Sequence, residues 1–232
     1  MTKLGIIGAM RIEVETLVQN LENVKETTHA WSTYYEGKLE GLDVVVVQCG
    51  VGKVNAAMCA QILCSCYGVT HIVNTGIAGS LCAELDIGDL VVSRDAMYHD
   101  FDCMHFGYPM GKVPGMDVIA FPADELLIGC AQEAAEAVHP GHSRIGRVAS
   151  GDLFVAEKEA KARIIERTQA ICTEMEGAAI AQTAYRNGIP FVILRCISDK
   201  ADNSAEMDYP SFEAMAAQRC AQVAMALAHA LN

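Results

Sequence analysis

The sequence predicts an α/β fold in layers, one sheet sandwiched by helices, on three observations. Strand-like and helix-like segments alternate along almost the whole chain, and no repeat, low-complexity tract or linker interrupts them. The runs VVVVQC and FVILRCI are apolar nearly throughout, as strands covered on both faces must be. The third is size. With 232 residues, 52% hydrophobic and only 20% charged, the chain has the apolar content for one well-buried domain over residues 1–232.

Taken in order, Lys3 to Ala9 is a β-rich run and Arg11 to Asn20 a helical stretch. Trp31 to Glu36 and Leu42 to Gln48 are expected strands, separated by a turn at Glu40-Gly41. Lys53 to Tyr67, rich in Ala, Met and Leu, reads as a long helix. Strands follow at His71 to Thr75 and Leu90 to Met97, then a helix from Asp124 to Val138. Arg144 to Ser150 is strand-like, Glu157 to Arg167 and Ala179 to Asn187 are helical, and Phe191 to Ile197 is an apolar strand. A helix from Ser211 to Leu231 closes the chain. Tyr98 to Pro122, with three prolines, is the least regular part. A loop of that length serves either as a functional lid or as a plain surface excursion.

The formal charge of −12 argues against nucleic acid and anionic membrane surfaces as partners, since both attract clustered Lys and Arg. No run of about 18 apolar residues appears. The apolar start, MTKLGIIGAM, meets Arg11, Glu13 and Glu15 at once, so it reads as a first strand and not as a signal peptide. The ten cysteines sit mostly singly in apolar runs without a CxxC, which fits buried free thiols in a reducing, cytoplasmic setting.

Ligands of open α/β sheets bind beyond the carboxyl ends of the strands, so polar residues there carry the functional expectation. The first strand ends in GAMRIE with Glu13, and His71 to Thr75 runs into NTGIAGS. The segment TEMEGAA carries Glu174 and Glu176, and FVILRCI ends in SDKAD with Asp199. Any one of these acids serves equally as a helix cap or a solvated end. Glu13, Glu176 and Asp199 gathered at one rim would repel each other unless a ligand or protons offset the repulsion. Other patterns fail on their spacing. GVGK at Gly50 to Lys53 lacks the rest of a phosphate-binding loop, and GIIG at Gly5 to Gly8 is not a dinucleotide fingerprint. HDFDCMH, from His99 to His105, has no second ligand cluster, and no GxSxG elbow is present. No metal and no cofactor is expected.

With GIIGAM, CGVGKVNAA, NTGIAG, GDLVVS, YHDFD, FGY, SGDLF, TEMEGAAIA and ISDKAD in this order, the chain resembles the 5′-methylthioadenosine/S-adenosylhomocysteine nucleosidases of the purine nucleoside phosphorylase superfamily nearly end to end. The resemblance implies a three-layer αβα sandwich around a mixed, twisted sheet. It implies hydrolysis of 5′-thio-substituted adenosines with Asp199 as general acid at adenine N7, oriented by Ser198, and Glu13 activating water. Glu176 then accepts hydrogen bonds from the ribose hydroxyls, Phe154 stacks on adenine, and the backbone of Val155 reads the purine edge. Met10, Met175, Val51 and Phe212 form the apolar wall, with Ile77 and Gly79 of NTGIAG beside them. Phe106, Tyr108 and Pro114 reach the 5′ substituent in a neighbouring subunit's site, which implies a homodimer. Glu174 is assigned no catalytic role. One departure is Ile77, where many members have Ser; it removes a hydroxyl near the ribose or the water.

The chemistry needs these residue types. Loss of adenine leaves an oxocarbenium-like ribose, and the purine leaves poorly until N7 is protonated. A carboxylate at the ribose diol orients the sugar and places negative charge near developing positive charge. A phosphorylase on the same fold is the nearest rival, yet a carboxylate facing the nucleophile repels phosphate and suits water. Two more distant rivals are an aminodeoxyfutalosine hydrolase and a non-catalytic nucleoside-binding protein. The choice among methylthioadenosine, S-adenosylhomocysteine, 5′-deoxyadenosine and futalosine-type nucleosides stays open at the level of sequence.

Overall fold

Ten strands join in one mixed sheet in the computed structural model, which describes residues 2–202 and 204–232. The chain runs β1 (Lys3–Gly8), α1 (Arg11–Gln19), β2 (Glu22–His29), β3 (Ser32–Leu39), β4 (Leu42–Gln48) and α2 (Lys53–Ile62), which ends in a π-helical turn at Leu63–Tyr67. It continues through β5 (His71–Ser80), β6 (Leu90–Tyr98), β7 (Phe121–Pro122), α3 (Glu125–Val138), β8 (Ser143–Ser150) and α4 (Lys158–Thr168). It closes with β9 (Cys172–Glu174), α5 (Gly177–Asn187), β10 (Phe191–Asp199) and α6 (Ala205–Ala230). The order across the sheet is β10-β6-β8-β9-β5-β1-β4-β3-β2, with β7 on β6.

The central strands are apolar because both faces are covered. Every residue of β10 is buried, and so are Leu4 to Gly8 of β1 and Val44 to Val47 of β4. Helices α1, α3 and α6 pack together against β1, β5 and β10, while α2 and α5 pack on each other. Beyond a simple sandwich, β10 also pairs with β5, so β5, β10, β6, β8 and β9 close into a ring. Closure brings the ends of β5, β9 and β10 side by side. Gly79 of β5 pairs with Thr173 of β9 on one edge and with Asp199 of β10 on the other.

Besides the two-residue β7, three elements differ from the sequence expectation. β2, ENVKETTH, is exposed along almost its whole length at the sheet edge, so it carries no apolar alternation to read. α6 begins at Ala205 and runs through Pro210, where the expected start was Ser211. β5 extends through NTGIAGS to Ser80, beyond the expected end at Thr75. The turn at Glu40-Gly41 holds, both residues having positive φ (50° and 83°), as a tight hairpin requires. No helix among the described residues is long and apolar enough to cross a membrane. Residues 99 to 120 are irregular apart from one short 3₁₀ turn, Met104–Phe106.

Candidate active site

Glu13 lies in the first turn of α1, immediately beyond β1. Its Oε2 accepts the N–H groups of Ala9 (2.7 Å) and Met10 (2.9 Å), and its Oε1 accepts that of Ile77 (3.1 Å). The carboxylate thus caps its own helix while tying α1 to β5. The approach is close enough to need Gly76, where a Cβ would sit 2.5 Å from Glu13 Oε1. Burial pushes the proton affinity of Glu13 up, against the pull of Arg195 and the three N–H donors.

Asp199 ends β10. Its Oδ2 accepts the Ser198 hydroxyl and its Oδ1 the Ala201 N–H, each at 2.8 Å. Ala201 is buried with φ of 50°, a left-handed conformation that costs a non-glycine residue energy and aims its N–H at the carboxylate. Across the ring, a Cβ on Gly79 would lie 2.8 Å from both Asp199 Oδ1 and Ala201 Cβ. Burial raises the pKa of Asp199, and its two hydrogen-bond donors only partly offset this.

Glu176 is the N-cap residue of α5, and its Oε1 accepts the Gly52 N–H at 2.7 Å. Burial, and then the neighbouring Glu174 carboxylate, push its pKa up to about 8. Glu174 itself is fully engaged. It pairs with the buried Arg195 guanidinium, accepts the Ser150 hydroxyl, and takes the N–H groups of Glu176 (3.1 Å) and Gly177 (2.7 Å). The Ser150 hydroxyl oxygen accepts the Ala178 N–H at 2.7 Å, so these two side chains satisfy the first turn of α5. Arg195 also bonds the Asn74 amide oxygen (2.5 Å) and the Leu194 carbonyl (2.9 Å).

Glu13, Glu176 and Asp199 line one cavity of about 110 Å³, together with Met10, Val51, Ile77, Gly79, Phe154, Met175 and Ser198. None of its described lining residues is Lys or Arg. A smaller adjoining recess carries Val155 beside Phe154, Met175 and Asp199. Phe212 does not line the cavity; the aromatic residue that α6 supplies is Tyr209, edge-on to Phe154 with ring centroids 5.6 Å apart. Phe106, Tyr108 and Pro114 also lie outside it, exposed on the segment after β6. A larger groove of about 710 Å³, lined by Arg11, Trp31 and Met58 among others, contains none of the three acids. In HDFDCMH, Asp100 is held by Lys53 (2.5 Å) and by the Asp152 N–H, and Asp102 caps the Met104 N–H.

Two of these residues carried sequence signals that point elsewhere until the fold is known. Arg195 is a lone charge in an apolar strand, which demands a buried partner, but nothing in the sequence names Glu174 as that partner. Tyr209 precedes Pro210, outside the expected helix.

A model of the phosphorylase superfamily matches residues 3–229. The chain is 40% identical to a 5′-methylthioadenosine/S-adenosylhomocysteine nucleosidase of Chromohalobacter salexigens over 100% of this chain and 99% of that one. The nucleosidase of that type from Neisseria meningitidis, solved in complex with methylthio-immucillin-A, superposes with a TM-score of 0.96 at 35% identity, covering 99% of this chain and 100% of that one. Futalosine hydrolase of Helicobacter pylori superposes with a TM-score of 0.92 at 32% identity, covering 97% of each chain.

Proposed function

The chain belongs to the phosphorylase superfamily and, within it, to the 5′-methylthioadenosine/S-adenosylhomocysteine nucleosidases, and from that premise we propose that it hydrolyses the N-glycosidic bond of 5′-methylthioadenosine, S-adenosylhomocysteine and related 5′-substituted adenosines. Residues 1–232 act as one nucleosidase domain, in line with a family match over 3–229. The observation that carries this reading is the meeting of Glu13, Glu176 and Asp199 in a single, otherwise largely apolar cavity.

Asp199 delivers its proton to adenine N7 as the C1′–N9 bond breaks. Its burial supports the role, because an acid must hold its proton near neutral pH to give it up on demand. Ser198 and the Ala201 N–H fix the carboxyl's orientation. Glu13 takes a proton from water as the oxygen attacks C1′, and its free lone pair is the base. Glu176, with one oxygen on the Gly52 N–H, offers the other to the ribose hydroxyls. Phe154 stacks on the purine, and the backbone of Val155 reads its edge. The hydroxyl absent at Ile77 is not the group that holds Glu13; that is the residue's N–H, which serine and isoleucine both supply.

Hydrolysis is favoured over phosphorolysis because Arg195, whose partner Glu174 lines the cavity, is committed to that carboxylate. An incoming phosphate would meet Glu13 with no cation among the described lining residues to offset the repulsion. Incubation with methylthioadenosine tests this. Adenine and methylthioribose form in phosphate-free buffer; a strict requirement for phosphate overturns the reading. Likeness to futalosine hydrolase supports futalosine-type nucleosides as further substrates, to be assayed in the same way.

Phe106, Tyr108 and Pro114, exposed and outside this chain's own cavity, complete the 5′ pocket of a second copy in a homodimer. Sedimentation at assay concentration tests that assembly. The unpaired cysteines and the acidic charge support a cytoplasmic enzyme acting on small nucleosides, without nucleic acid or membrane partners.

A further inference from the structure

We propose that Asp89, His139 and His142 form a binding site for a divalent transition-metal ion of the Zn²⁺ type, distinct from the nucleoside cavity. The three residues come from two connections far apart in sequence, the β5–β6 segment and the α3–β8 turn. One ligand atom from each lies within 4.8 Å of the others. His142 Nδ1 is already 2.8 Å from Asp89 Oδ1, and the imidazoles of His139 and His142 stack with centroids 4.2 Å apart and planes at 14°.

Imidazole and carboxylate are the donors that borderline divalent ions take, with bonds of about 2.0–2.2 Å. Two ligand atoms on one tetrahedral ion then lie about 3.3–3.6 Å apart. The His142–Asp89 pair needs to open by less than 1 Å on that scale, and the half-exposed His142 ring can turn to close the remaining gap. Backbone contacts hold the three together without a metal. The Leu90 N–H donates to the His142 carbonyl at 2.8 Å, and the His142 N–H donates to the His139 carbonyl at 3.2 Å across Gly141, whose φ is 77°. Asp89 Oδ2 accepts the Asp86 N–H at 2.8 Å, which fixes the carboxylate with Oδ1 toward the histidines. The Arg219 guanidinium, donating to the Gly88 carbonyl at 2.6 Å, opposes a cation, and the Glu136 carboxylate, accepting the Gly141 N–H at 2.8 Å, counters it. Three protein ligands leave one position for water or a further donor.

Calorimetric titration of the full chain with zinc chloride, under a non-thiol reductant, tests the site. One ion binds per chain, and His142→Ala and His139→Ala each weaken it at least about tenfold. Both variants keep the parent's circular dichroism without metal, since neither ring is part of the apolar core, although His142→Ala melts lower for the loss of its hydrogen bond to Asp89. Unchanged binding in the His139→Ala/His142→Ala double variant overturns the proposal, as does the absence of any binding by the parent. Substitution with Co²⁺ separates the site from the ten cysteines. Weak ligand-field bands support nitrogen and oxygen ligands, and an intense sulfur-to-metal charge-transfer band overturns the assignment.

Discussion

Two groups of carboxylates share the rim where β1, β5, β9 and β10 end, and they differ in how many hydrogen bonds they accept. An ionised carboxylate offers about four lone-pair sites. Glu174 fills them with Arg195, the Ser150 hydroxyl and the N–H groups of Glu176 and Gly177. Facing the cavity, Glu13 accepts three N–H groups, Asp199 accepts two donors, and Glu176 accepts one. The saturated acid holds the fold, and the unsaturated ones keep capacity for a substrate. Glu174 and Glu176 are two residues apart in sequence, so saturation, not position along the chain, separates the roles.

The largest effect should come from removing the proposed acid while keeping its shape. Asp199→Asn preserves an oxygen for the Ala201 N–H but has no proton of suitable acidity, so kcat for adenine release should fall by about 10²–10⁴-fold. KM should stay within a few-fold and the circular dichroism should match the parent. A variant with near-parental kcat would remove Asp199 from the mechanism. Glu174→Gln should show the opposite pattern. It strips the charge partner from a buried guanidinium, which typically costs about 3–5 kcal/mol of stability. Urea denaturation reads that loss directly. A stable Glu174→Gln protein with a rate as low as that of Asp199→Asn would erase the distinction between the two groups.

Much of this arrangement is legible in the sequence, and the remainder has a physical reason for being hidden. The apolar strands β4 and β10 announce themselves because burial on both faces demands continuous hydrophobicity. Edge strand β2 faces solvent and has no such demand. The three cavity acids follow from the strand-end rule together with the family motifs. The Glu174–Arg195 pair does not, because it forms across the closure of β5, β10, β6, β8 and β9, and a ring closure leaves no periodicity in any single strand. The presence of Tyr209 in the cavity wall, where Phe212 was expected, has the same kind of origin. α6 starts before Pro210, and its early turns, not those after the proline, approach Phe154.

A smaller effect probes the same contrast from the backbone side. Gly79→Ala would place a methyl 2.8 Å from Asp199 Oδ1 and from Ala201 Cβ. Ala201 is buried and already in a strained left-handed conformation, so it has little room to retreat. Overpacking of this kind costs about 1–3 kcal/mol. Activity should fall together with stability, since the displaced atom is a carboxylate oxygen of the proposed acid. Parental stability and rate in Gly79→Ala would mean that the β5–β10 approach is looser than these contacts require.

The smallest expected effect concerns Glu176, the least saturated of the three. Its pKa is about 8 in the folded chain, against 4.5 when unperturbed, chiefly through burial. Below the unperturbed value both folded and unfolded states hold the proton, and the contribution to stability is fully present. As pH rises, the unfolded chain releases the proton first while the native chain retains it, so stability declines until the native group ionises near 8. Glu176→Gln cannot titrate and escapes that decline. The unfolding free energy of the variant minus that of the parent should therefore rise with pH across the window, by at least about 1 kcal/mol. A flat difference would mean that Glu176 ionises as an ordinary carboxylate, with Arg195 and the Gly52 N–H fully offsetting its burial. In that case one accepted hydrogen bond would suffice to hold a buried charge, and the number of donors would no longer separate the acids that face the cavity from the one that holds the fold.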